Sequence, residues 1–222
     1  IDGIGTASSS NAATTEQVIA SEELRLASND DGKLNWIFGL YAFTEKLKQS
    51  RLSSLDAGIV AALIQPGFVS DDVEIDRDGV AAFGQISYAM TDKLNLTMGA
   101  RYSYENVHQT PDLLVDLVVP TPGGPVAITT VNNVEQKKSF DGFSPMGSVS
   151  YEWTDDVMTY ASISTGFKGG GFTKEVPNSP AQNMAVANET SLNYEIGIKA
   201  RFADNRMLLN AAAFRSDLKN QQ

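Results

Sequence analysis

Asp71, Asp72, Glu74, Asp76 and Asp78 crowd five carboxylates into a short stretch, and a calcium ion, which takes six to eight oxygen ligands, is the chemistry such a run would serve. The stretch lacks the central Gly and the terminal Glu of a helix–loop–helix calcium site, so it reads as a solvated acidic loop. His108 is the single histidine and the chain has no cysteine, which leaves neither a zinc set nor a Cys/His pair. Near the outer end of its strand His108 would help to bind iron or a ligand only with partners, and alone it reads as an exposed polar residue. Gly169-Gly170-Gly171 offers backbone N–H groups to a phosphate, yet it lacks GxGxxG spacing and no Gly-Lys-Ser/Thr follows. That run reads as the flexible start of a loop. Ser53-Ser54-Leu55-Asp56 has the form of a helix start, with Ser53 as N-cap and Asp56 at N3, ahead of the apolar stretch Ala57 to Ile64. A small helix there would act as a ligand lid or pack on the rim beneath it. No catalytic, cofactor-binding or metal-binding residue is assigned, no cofactor is expected, and the ligand-binding residues stay unknown.

The whole composition narrows the class further. Of 222 residues, 17 are Lys or Arg and 27 Asp or Glu, a net charge of -10 with no basic stripe, which speaks against nucleic acid as a partner. The longest apolar run, Gly58 to Ile64, is far short of the roughly 20 residues of a spanning helix. Alternating strands would escape that test.

Alternation is what the chain shows. From Ser191 to Phe202, Leu192, Tyr194, Ile196, Ile198, Ala200 and Phe202 share one face while Asn193, Glu195, Gly197, Lys199 and Arg201 share the other, the period of two that marks a strand. Leu94 to Tyr104 repeats the pattern, with Arg101 on its polar side. Less regular runs cover Glu16 to Ser28, Lys33 to Lys48, Gly79 to Thr91, Ser139 to Trp153, Val157 to Lys168 and Met207 to Lys219, for eight strands in all.

The connections alternate in length. Asn29-Asp30-Asp31-Gly32, Thr91-Asp92-Lys93, Thr154-Asp155-Asp156 and Ala203-Asp204-Asn205-Arg206 are turn-formers. Gln49 to Asp78, Gln109 to Lys138 and Gly169 to Glu189 are long, against a usual median of about 4–6 residues. Tight turns at one end and long loops at the other predict an all-β fold: the antiparallel wall of a transmembrane β-barrel, with short periplasmic turns and long extracellular loops. A β-sandwich or lipocalin-like barrel is the soluble counterpart, but neither sorts its connections this way.

Three long connections against four short turns place both chain ends on the loop side, so residues 1–222 are expected to be a slice of a larger barrel. Ile1 to Thr15 reads as the tail of another loop; it has no basic or apolar leader region, as expected if a secretory leader was removed or the chain is an internal fragment. Tyr41, Phe43, Tyr102, Tyr104 and Phe167 fall toward the outer strand ends, and Trp36, Tyr88 and Trp153 toward the turns, as two interfacial girdles require. Tyr41 and Trp36 have opposite parity, so some of these point inward. The inward set Glu195, Lys199, Arg201 and Arg101 would line a transport path or hydrogen-bond to whatever fills the lumen.

Several stretches, in order and at barrel spacing, resemble the barrel wall of TonB-dependent receptors. Ser21-Glu22-Glu23-Leu24-Arg25-Leu26 is similar to the family's QELRL strand, Trp36 to Tyr41 to its W-x-x-G-x-Y strand, and Gly99-Ala100-Arg101-Tyr102 to GLRY. Tyr160 to Phe172 resembles YASxSxGFKxGGF, and Glu189 to Lys199 with Asn205-Arg206 and Asn210 to Phe214 resembles ETSxNYEIGxK…NRLxLNAAxF. The resemblance implies a 22-stranded outer-membrane barrel closed by an N-terminal plug, importing a scarce nutrient (siderophore-bound iron, cobalamin or an oligosaccharide) with energy relayed by TonB. Its partners would be outer-membrane lipid, the TonB complex and plug through the full-length protein, and an unknown small nutrient. A passive porin or a small structural barrel is the alternative. An enzyme on a barrel would need a clustered Ser/His/Asp set at the rim, and His108 has no evident partner for one.

Overall fold

A computed structural model describes residues 9–29, 32–55, 65–122, 124–132, 134–172, 185–204 and 206–221. All regular structure among them is strand: β1 (Ser9–Ala27), β2 (Leu34–Leu55), β3 (Gln65–Ala89), β4 (Leu94–Thr121), β5 (Gly124–Asn132), β6 (Gln136–Thr154), β7 (Val157–Lys168), β8 (Gly171–Phe172), β9 (Ala185–Val186), β10 (Glu189–Phe202) and β11 (Met207–Lys219). Eight of them form one antiparallel sheet in the order β1-β2-β3-β4-β6-β7-β10-β11, with β5 paired to β4 alone and β8 to β9. The eight long strands are those that the alternation predicts. The sheet is open, with β1 and β11 as its edges.

Antiparallel partners share a face, so the register fixes what each face carries. Leu40, Ala82, Tyr102 and Phe143 form one row across β2, β3, β4 and β6. Val149, Ala161, Ile196 and Ala213 form another across β6, β7, β10 and β11. This apolar face is the open one: Leu24, Met98, Phe143 and Ile196 are 64%, 59%, 64% and 63% exposed. On β2 the odd-numbered residues from Ile37 to Gln49 are the less accessible set. A water-soluble sheet would hide its apolar face, so the pattern is inside out.

The strands run past the predicted ends. β2 continues to Leu55, β3 begins at Gln65, and β4 reaches Thr121 before returning as β5, so the predicted long loops Gln49 to Asp78 and Gln109 to Lys138 are mostly hairpin extensions. Residues 9–15, expected to be a loop tail, are likewise strand in β1. The extensions no longer alternate apolar with polar residue types, so the sequence contrast vanishes while backbone pairing continues, although Val107, Gln109 and Pro111 keep one face of β4 buried there. β4, with 28 residues, far exceeds the roughly 9–11 needed to cross a bilayer.

The short connections are built as the sequence suggests. Thr91 Oγ1 accepts from the Lys93 and Leu94 amides at 3.2 and 3.0 Å, a side-chain turn that closes β3 onto β4. Thr154 Oγ1 does the same for the Asp156 amide at 3.2 Å. Beside it β6 carries a register shift between Glu152 and Thr154. Ala203 and Asp204 adopt φ of 53° and 55°, the left-handed conformation that a tight β10–β11 return demands.

Candidate functional site

The polar face holds two constellations that only the register assembles. On the first, Arg101 of β4 sits opposite Phe83 of β3, which sits opposite Gly39 of β2. With no side chain at Gly39, the tip of the Phe83 ring reaches over it, and a methyl group there would overlap the ring. Tyr41, two residues along, brings its ring to the same guanidinium. The Arg101 Cζ is 5.3 Å from the Tyr41 centroid and 5.6 Å from that of Phe83, a cation–π pairing on two rings. Phe43 stacks on Tyr41 at 6.0 Å, and Arg101 Nε donates to Ser103 Oγ at 3.1 Å.

The second lies on β7 and β10. Gly197 pairs with Tyr160, whose ring occupies the space a Cβ at Gly197 would need. The Tyr160 hydroxyl donates to Glu195 Oε1 at 2.5 Å, and Lys199 Nζ lies 5.9 Å from the same ring. Glu195 and Lys199, expected on the inward face, are therefore joined through Tyr160, a residue the sequence reading did not single out. Its signal was available: Tyr160 is the cross-strand partner of the glycine between them, but the pairing of β7 with β10 was needed to see it.

The remaining candidates fall apart from these two. Arg201 braces the β6–β7 turn: Nη2 donates to the Asp155 carbonyl at 2.5 Å and Nε lies 3.5 Å from Asp156 Oδ1. His108 is half-buried rather than exposed, with Nε2 at 3.4 Å from Glu135 Oε2. The acidic run Asp71 to Asp78 is not a loop but part of β3, which puts Asp72, Glu74, Asp76 and Asp78 on one face and Asp71 on the other. Glu74 takes Lys46 and, at 3.2 Å, Lys48; Asp76 lies 3.7 Å from Lys46. Those ammonium groups hydrogen-bond the Glu74 carboxylate and hold it below the usual carboxylate range, and Glu74 in turn raises Lys46. Among the described residues no group of three or more metal-ligating side chains forms.

The helix start at Ser53 is overturned, because Ser53, Ser54 and Leu55 are extended and paired with β3. Ala57 to Ile64 lies outside the described residues. Gly169 and Gly170 are buried, packed against the Glu105 carboxylate and the Phe140 ring. A carboxylate at that position repels phosphate, and the missing side chains let the backbone approach Glu105 and Phe140 closely. The β8–β9 pair follows them inside the predicted loop Gly169 to Glu189, of which residues 173–184 lie outside the described set.

The girdle residues divide as their parity requires. Trp36, Tyr88, Tyr102 and Tyr104 share the apolar face. Trp153 joins them, with Nε1 donating to Thr159 Oγ1 at 3.0 Å. Tyr41 and Phe43 take the polar face; Phe167 is the exception, since its register with β10 gives it the parity of Ile163 on the apolar face while its ring lies over Gly142.

Comparison with known proteins agrees with this wall. The sequence model described as TonB dependent receptor-like, beta-barrel matches residues 3–222. Among solved structures, the ferric yersiniabactin uptake receptor FyuA of Yersinia pestis is 22% identical, with a TM-score of 0.78 over 98% of this chain and 31% of that one. The ferric-catecholate import receptor Fiu of E. coli K12 is 15% identical, with a TM-score of 0.42 over 99% of this chain and 43% of its own. The chain spans about a third of FyuA, and at that identity the likeness speaks for the fold.

Proposed function

From a chain that belongs to the TonB-dependent receptor β-barrel family, we propose that residues 1–222 form part of the wall of an outer-membrane transporter importing a scarce nutrient with energy relayed by TonB. The family is one of receptors and transporters rather than enzymes, and its barrels lie in the outer membrane. The observation that carries the reading is the family match over nearly the whole chain. The inside-out sheet supports it, since an exposed apolar face suits lipid. The opposite face, with Arg101, Glu195, Tyr160 and Lys199, is then the lumen wall, facing a plug encoded elsewhere in the parent protein and the nutrient passing it.

The nutrient is of the siderophore-bound iron, cobalamin or oligosaccharide kind. The test is accumulation of each labelled class by cells that make the full-length protein, with and without functional TonB. Uptake of one class in TonB-competent cells alone is expected. Equal uptake in both strains would make the barrel a passive porin.

A further inference from the structure

The sheet splits between β6 and β7. Their ladder runs from the turn only as far as Met146 and Ser164, while β7 stays paired with β10 up to Lys168 and Glu189 and β6 with β4 up to Gln136 and Gln109. Residues 136–145 of β6 therefore have no ladder partner on the β7 side among the described residues. The next pair would be Pro145 with Thr165. A hydrogen-bonded ladder residue turns its N–H and its carbonyl to the same neighbour, and the Pro145 carbonyl accepts from Thr165 Oγ1 at 3.4 Å. The group that should donate back to β7 is the N–H that proline lacks, so β7 is released there.

Once released, the chain crosses the polar face of β6. The Phe167 ring lies over Gly142, Gly170 over the Phe140 ring, and Gly169 against the Glu105 carboxylate of β4, one strand further on. Glu105 and Phe140 are cross-strand partners on the face that carries Arg101. Gly171 and Phe172 then pair with Val186 and Ala185, and the Val186 carbonyl borders Gly170. Beneath the crossing, Phe140 and Val107 are 5% and 2% exposed, whereas Lys138, the cross-strand partner of Val107, is open. A bare wall would leave Val107 accessible, and this segment is the piece of chain that reaches over its neighbours.

We propose that residues 169–172 with 185–186 form a strap fixed across the lumen side of β4 and β6. The strap is a permanent part of the lining of the mouth: a passing nutrient meets it, and Val107 and Phe140 lie behind it. The proposal rests on the outer-membrane placement proposed above, with the long-loop end outward, but not on transport.

Two adjacent glycines separate the strap from general packing. A Cβ at Gly170 would overlap the Phe140 ring and the Val186 carbonyl, while one at Gly171 meets nothing within 4 Å. Leucine at the first should lift the strap and leucine at the second should not. The test uses the full-length receptor, freed of any other cysteine and carrying Val107→Cys or Lys138→Cys, on intact cells treated with a membrane-impermeant maleimide. Lys138→Cys is expected to label about ten times faster than Val107→Cys. Gly170→Leu should speed labelling of Val107→Cys about ten-fold and leave Lys138→Cys unchanged; Gly171→Leu should change neither. A loosened barrel would respond to both leucines, so equal effects overturn the proposal, as does a Gly170→Leu receptor that labels like its parent. Val107→Cys as reactive as Lys138→Cys in the parent overturns it too. Protection lost only in cells with functional TonB would make the segment a moving lid and overturn its fixity. Repeating the labelling in detergent reads the strap without the placement: Lys138→Cys silent on cells yet labelled in detergent contradicts the outward placement alone.

Discussion

Gly197 is a residue whose meaning lies across the sheet. Its missing side chain makes room for the Tyr160 ring, and that ring's hydroxyl holds Glu195. Gly197→Val in the full-length protein should cost about 1–3 kcal/mol of unfolding free energy through overpacking, measured by urea titration in vesicles. Tyr160→Phe keeps the ring over the glycine and removes only the hydrogen bond, so about 1 kcal/mol is expected. A Gly197→Val variant as stable as the wild type would mean that the ring is not seated there. Sequence periodicity put Glu195 and Lys199 on one face, but it left Tyr160 unmentioned, because alternation reports parity and not which strand lies alongside. The same limit applies to Arg101, whose face was legible while the Tyr41 and Phe83 rings that flank it were not.

At the scale of elements, alternation makes a sharp demand on neighbouring positions. Ile196→Arg places a charge on the apolar face and should destabilise the protein by about 2–4 kcal/mol if that position lies near mid-bilayer. Asn193→Arg, on the polar face of the same strand, should cost only about 1 kcal/mol, from the hydrogen bonds it makes with Ser216 and Ser191. Comparable effects at the two positions would contradict the assignment of faces. Beyond the apolar band the β2–β3 extension is held instead by exposed charges, Lys46 and Lys48 on Glu74. Glu74 is held below its ordinary value of 4.5, so its contribution is present above that pH and lost as pH falls through the lowered value. Lys46 is raised above 10.5, so its share is present below that pH and lost as pH rises through the raised value. Protection of the amides along Lys46–Lys48 and Val73–Ile75, taken relative to the intrinsic exchange rate at each pH, should therefore fall as pH drops below 4.5, and Glu74→Gln should abolish that loss. An unchanged acid response in the variant would show that the pairs do not hold the hairpin. These extensions were also the part of the fold least legible in the sequence. Where polar residues stand on both sides of a strand, nothing but backbone pairing marks it, and the acidic run Asp71 to Asp78 looks like a loop.

For the molecule as a whole, the sheet leaves two kinds of surface unsatisfied in water. β1 and β11 each have one neighbour, so their outer N–H and C=O rows are open to any other strand. The apolar face, with Leu24, Leu26, Phe143 and Ile196 among its exposed side chains, has no second layer over it. A soluble sheet buries that face against another layer, and the described residues bury few large side chains, Val107 and Phe140 near the mouth among them. The isolated 222-residue chain should accordingly sediment as aggregate when refolded in buffer and stay dispersed in detergent. Closure of the edges is a separate matter from cover for the face. Detergent alone should keep the chain soluble yet leave amide exchange fast along the outer rows of β1 and β11, whereas the same strands in the full-length protein should exchange slowly because both neighbours are present. Slow exchange at both edges of the isolated chain would mean that the strands close on themselves or pair between copies, and sedimentation would tell the two apart. A monomeric chain in plain buffer with a single cooperative melt would instead contradict the membrane reading of the apolar face.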